Sequence, residues 1–275
     1  MSWLKTFFKS AFETETEEEQ DDGDLAALLD SAFKAASRGD YETAVAMWRP
    51  LAESGVARAQ SSLGACCLEG LGTPRDPAAA AAWFRSAADA GDAIGRRNLA
   101  ALHFKGEGVP QDDEEALRLY RLAAKQGDAA AQDMLSWMLL EGQGGEPDPV
   151  ESRRWALAAA EQEVATSMTR LGLIAHNALG MERNSEEAAR WWYEAARRGD
   201  PDGQAMLGAA LHLGAGVEKD DRAALIWLLR ADEAGSSLAA PFLDPVRGAL
   251  PAEQIAEAEQ AAQRAPNPIE IEEAR

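Results

Sequence analysis

The chain has 275 residues, with 27 Lys and Arg against 47 Asp and Glu for a formal charge of −20. Most of its surface therefore repels phosphate backbones and anionic headgroups, which excludes general nucleic-acid binding. No run of about 18 apolar residues is present, so no transmembrane helix is expected, and two adjacent cysteines, Cys66 and Cys67, cannot supply a disulfide framework.

Residues 1–12, MSWLKTFFKSAF, place Trp3, Leu4, Phe7, Phe8 and Phe12 on one helical stripe with Lys5 and Lys9 beside it. The spacing predicts an amphipathic helix that is marginal alone and needs a bilayer, a partner groove or the chain's own repeats to lie on. The lysines break the apolar run and no small-residue cleavage site comes after it, so it does not read as a secretory signal. Residues 13–24 hold eight acids and no base; such a segment cannot bury enough to order itself and reads as a disordered acidic linker.

Residues 25–56 read as a helix pair, a half-repeat that caps the full repeats after it. Ala44, Trp48 and Gly55 stand in register with Ala80, Phe84 and Gly91, and Leu25 to Ala36 supply the partner helix. Leucine then recurs every 36 residues, at Leu63, Leu99, Leu135, Leu171, Leu207 and Leu243. This gives five full units and the start of a sixth across residues 57–244. A second large apolar register, Trp83, Leu119, Trp155, Trp191 and Trp227, lies beyond the first five leucines, so each unit holds two helices.

Glycine pairs such as Gly70 and Gly72 end the first helix, with only Gly180 kept in the fourth unit. Asp76, Asp112, Asp148, Asn184 and Asp220 are placed to cap the second helix. Ala80, Trp83, Phe84, Ala87 and Ala88 form its buried stripe. Gly91, Gly127, Gly199 and Gly235 terminate it, and Glu163 is the exception. Residues 245–265 read as a polar capping helix and residues 266–275 as a frayed tail.

The pattern in LGACCLEGLGTPRDPAAAAAWFRSAADAGD, LG then GxG, D, A, W and AAxxGD, resembles the Sel-one-like repeat (SLR), a relative of the tetratricopeptide repeat. The resemblance covers roughly residues 40–244. It implies an all-α fold, an α/α superhelical solenoid of antiparallel TPR-like helix pairs. It also implies the role of an adaptor in bacterial signalling, envelope assembly or secretion, or in eukaryotic quality control. Some proteins resembling this family act as hydrolases on β-lactams and carry a cysteine pair in successive repeats. The single pair here departs from that pattern, and hydrolysis is the weaker alternative.

No HExxH, Cys-His zinc spacing, Walker loop or GxSxG elbow is present, so no catalytic residue, cofactor or metal is expected. His176 and His212 occupy equivalent positions in adjacent units, about 8–10 Å apart by helix packing, too far to share a metal. The doublets Arg96–Arg97, Arg153–Arg154 and Arg197–Arg198 read as solvated faces or as partners of neighbouring acids. Cys66 and Cys67 read as small buried hydrophobes.

Positions two and five residues after each repeat leucine fall on the opposite side of the first helix. In the central units they hold Phe104, Trp137, Leu140, Leu173, His176 and His212, where a solvated helix should be polar. That row is either a groove for a protein or peptide partner or packing between adjacent first helices. The expected role is thus a non-enzymatic scaffold in the cytoplasm. The alternative is a regulator held peripherally at the inner membrane by residues 1–12.

Overall fold

A computed structural model of the chain describes residues 22–264. The amphipathic segment 1–12, most of the acidic segment and the tail beyond Arg264 lie outside the described residues. Those described form fourteen α-helices and no strand, in two compact units divided between Asp128 and Ala129. The fold is all-α and built from consecutive helix pairs of the 36-residue period.

The first unit holds α1 (Asp22–Ser37) and α2 (Tyr41–Glu53), α3 (Ala57–Glu69) and α4 (Pro77–Asp89), and α5 (Ala93–Lys105) and α6 (Asp113–Lys125). The second holds α7 (Ala129–Glu141) and α8 (Pro149–Glu161), α9 (Ala165–His176) and α10 (Ser185–Arg197), and α11 (Pro201–Leu213) and α12 (Asp221–Glu233). It ends with α13 (Ala240–Gly248) and α14 (Ala252–Ala262), the latter packed on α12. Helix α1 starts at Asp22, three residues inside the expected linker. The sixth first helix likewise runs on to Gly248, and the cap is confined to α14.

Second helices begin where their caps allow. Asp76, Asp112, Asp148, Asn184 and Asp220 each accept a hydrogen bond from the backbone N–H three residues on, satisfying a donor that the helix leaves orphaned. Asp92 and Asp200 do the same for α5 and α11.

The core lies between the two helices of each pair. Leu63, Leu99, Leu135, Leu171 and Leu207 are buried as expected. The tryptophan register is not the deepest: Leu119, Trp155 and Trp227 are buried but Trp83 and Trp191 are half-buried, whereas the next residue along, Phe84, Tyr120, Ala156, Trp192 or Leu228, is buried in every repeat. The reason is volume. The residue after each repeat leucine is small because the large side chain of the second helix lies on it. A Cβ at Gly64 would stand 2.8 Å from the Phe84 ring and one at Gly208 2.7 Å from Leu228. Where Ser136 replaces glycine the facing residue shrinks to Ala156, and Ser136 and Ser152 hydroxyls meet at 3.2 Å.

Two positions show what the repeat's glycines do. Glu163 (φ 63°) and Ala178 (φ 58°) are the non-glycine residues of positive φ among the described residues, and they stand where other repeats carry the helix-ending glycines. An L-residue held there costs roughly 1–2 kcal/mol. Glu163→Gly and Ala178→Gly should each raise stability by about 1 kcal/mol in urea denaturation. The ion pair of Glu163 with Arg198 (3.5 Å, carboxylate 79% exposed), which Glu163→Gly removes, is too solvated to offset this. An unchanged or lower midpoint would contradict the strain.

Candidate protein-binding surface

Some successive first helices touch one another, α3 with α5 in the first unit and α7 with α9 and α9 with α11 in the second, more closely than successive second helices do. Polar ties set their register. Ser61 donates to Asp92 (2.6 Å), Arg97 to Asp128 (2.8 Å) and Thr169 to Asp200 (2.5 Å), each from one repeat to the acid at the start of the next. In the third repeat, where Val164 replaces that acid, Asp133 instead accepts from Ser167 (2.5 Å) and Arg170 (2.7 Å). Burial pushes the Asp92 carboxyl up, and the bonds from Ser61 and the Gly95 N–H oppose it.

The expected row of Phe104, Trp137, Leu140, Leu173, His176 and His212 is half-buried throughout, neither solvated nor core. Its preceding member Ala65 is fully buried. The physical reason is crowding: helix α9, for instance, is flanked by α8 and α10 and by the first helices α7 and α11, which leaves one narrow strip uncovered. Phe104 belongs to the first unit. Trp137 and Leu140 on α7, Leu173 and His176 on α9, and His212 on α11 line three consecutive first helices of the second unit.

The two histidines are fixed by different neighbours. His176 lies against Trp192, ring centroids 5.4 Å apart, with Arg183 Nη2 at 3.5 Å from its Nε2. Burial first, and the Arg183 charge second, hold its pKa below the ordinary value. His212 Nδ1 is 2.5 Å from Asp221 Oδ1. Among the described residues no group of three or more His, Cys, Asp or Glu is placed to hold a metal ion, and no helix is long and apolar enough to cross a membrane.

Cys66 and Cys67 are buried free thiols, and burial, with Cys67 alongside, pushes Cys66 up to about 12. Such a thiol stays protonated and unreactive. The arginine doublets pair locally: Arg97 with Asp128, Arg153 with Glu187 (2.9 Å) and Arg198 with Glu194 (2.6 Å). Arg154 stacks over Trp155 at 4.7 Å.

One concavity is not foreseen by the repeat pattern. In the second unit a groove of about 1340 Å³ opens between α10, α12 and α14, lined by Trp191, Tyr193, Ile226, Trp227 and Leu250 with Arg190 on its wall. Its signal in the sequence is Ile226, which stands where the preceding repeats carry Arg118, Arg154 and Arg190.

These features define a protein built of repeated helix pairs tied to one another by ion pairs and hydrogen bonds. The Sel1 repeat model matches residues 57–92, 93–128, 129–164, 165–200 and 201–236, and the chain belongs to the Sel1 repeat family. Proteins of this family are generally protein-interaction scaffolds and typically not enzymes. The chain is similar to c5321, a protective antigen of uropathogenic Escherichia coli strains with an SLR fold, at 31% identity and a TM-score of 0.76. That match covers 88% of this chain and 53% of the other, so the chain spans about half the length of that relative. A Sel1 repeat protein from Oxalobacter formigenes shares the fold at 24% identity and a TM-score of 0.76, covering 88% of this chain and 99% of that one. No curated protein sequence matches significantly.

Proposed function

We propose that the chain is a non-enzymatic adaptor that grips a protein or peptide on the first-helix side of its second unit. The observation that carries this reading is the row of Trp137, Leu140, Leu173, His176 and His212. These half-buried side chains lie in two matching registers of three consecutive first helices. A side chain already held by its own neighbours loses little freedom on binding, and aromatic anchors of this kind dominate interface energies. With a charge of −20 the surface steers basic or neutral partners and repels acidic ones. Phe104 offers a separate anchor on the first unit.

Residues 1–12, with Trp3, Leu4, Phe7, Phe8 and Phe12, add a tether in this reading, anchoring the scaffold to a partner groove or peripherally at the inner membrane. The cytoplasm is the compartment proposed, on the two free thiols. The adaptor reading is tested by affinity capture from native-cell extract with the wild-type chain and with Trp137→Ala and Leu173→Ala. A partner retained by the first and lost by both variants is expected. Capture indifferent to these changes, or turnover of a hydrolase substrate by the purified chain, would overturn it.

A further inference from the structure

We propose that His176 is a pH-sensitive latch in the first-helix row of the second unit: on taking up a proton its ring leaves its seat against Trp192 and loosens the end of α9. His176 is the last residue of α9. Its ring lies 5.4 Å from the Trp192 indole at an angle of 50°, with Arg183 Nη2 3.5 Å from Nε2. A guanidinium only donates, so Nε2 accepts from it and the neutral ring carries its hydrogen on Nδ1. Nδ1 is closed off from solvent and has no hydrogen-bond partner among the described residues.

That seat fits a neutral imidazole and rejects an imidazolium. The proton has to enter at Nε2, against the Arg183 guanidinium, and it charges a ring whose other N–H has no acceptor. Trp192 meets the ring from α10 and Arg183 from the loop before it. Among the described residues no charge of α7, α8 or α11 acts on His176, so none compensates. The carbonyls at the end of α9 favour a cation, but by less than an unpaired buried charge costs.

The helix end beneath the ring is already strained. Ala178, two residues on, is held at φ 58° where the other first helices are followed by Gly70, Gly106, Gly142 and Gly214, and loosening the turn relieves it. His212, the equivalent residue one repeat on, has neither feature: its Nδ1 faces the Asp221 carboxylate, which accepts from a neutral or a charged ring, and Gly214 follows its helix. The seated form of His176 is fully favoured above the ordinary histidine pKa of about 6.5, and as pH falls through that value the loosened form, whose ring charges freely, gains on it. Acidification thus breaks up the middle of the row, where Leu173 and His176 stand, and releases a partner held there. That consequence rests on the adaptor reading; the latch itself does not.

The test is made on the full chain without a partner, by NMR of the imidazole and indole signals from about pH 8 to about pH 5, with His176→Gln and Trp192→Phe to identify theirs. The His176 midpoint is expected below about 6.5, with the Trp192 indole moving at the same midpoint and staying still in His176→Gln. Arg183→Gln should raise the midpoint. Ala178→Gly, which relieves the seated form of its strain, should lower it by about half a pH unit, and the His212 signal should follow neither variant. A His176 midpoint at or above the ordinary value, an indole that does not move or that moves equally in His176→Gln, or a midpoint indifferent to Arg183→Gln and Ala178→Gly would each overturn the latch. Since no partner enters the experiment, such a result would leave the adaptor reading standing.

Discussion

Gly216→Ala should lower stability by about 2–4 kcal/mol, read as a loss of amide protection in α10 to α12 and a lower urea midpoint. Gly216 closes the loop after α11 at φ 76°, and a Cβ there would run into the Ser185 carbonyl at the start of α10. Backbone cannot step aside as a side chain can. Gly72 meets the Tyr41 carbonyl and Gly108 the Pro77 carbonyl in the same way, so the close approach is a property of the repeat. Gly199→Ala is the control: φ is 81° but nothing lies within 4 Å of its Cβ, so only the left-handed cost of about 1 kcal/mol should appear. Equal losses for the two variants would show that the close approach contributes nothing.

Trp192→Ala should cost about 3–5 kcal/mol, the usual loss for a buried aromatic side chain. A more specific result is expected from its partner. Gly172 lies beneath the Trp192 indole in the middle of α9, and a Cβ would collide with the indole Nε1 and Cδ1. Gly172→Ala should therefore destabilise the wild-type chain by about 1–3 kcal/mol. In the Trp192→Ala background the same change should stabilise by about 0.5–1 kcal/mol, because alanine is the better helix former once the space is free. A double-mutant cycle in denaturant measures that reversal. Additive losses would mean that the small-against-large pairing does not govern these positions.

This pairing also marks how far the amino-acid sequence alone specifies the fold. Helix pairs, boundaries and caps are legible in it because they depend on local chemistry: an Asp or Asn before an apolar stripe, a glycine where φ turns positive. Which of two adjacent large residues points inward is not. Trp191 and Trp192 are equally hydrophobic, and only the position of Gly172 on the facing helix decides that Trp192 enters while Trp191 stays at the margin, with its Nε1 3.4 Å from Glu187 Oε1. The candidate row is legible as a register but not in its exposure. A helical wheel counts one helix, whereas α9 has neighbours on most sides, so Leu173 and His176 are half covered. The groove of the second unit needs three helices separated in sequence, and only Ile226 hints at it.

Binding of a protein partner by the first-helix row of the second unit, as proposed, is measured most directly by titration calorimetry on a captured partner. Trp137→Ala should weaken the complex by about 2 kcal/mol or more, while its unfolding midpoint falls by clearly less than that of Trp192→Ala. Trp191→Ala, on the second-helix side, should leave affinity unchanged. Affinity lost with Trp191→Ala and kept with Trp137→Ala, or a Trp137→Ala chain as destabilised as Trp192→Ala with its affinity intact, would contradict the account.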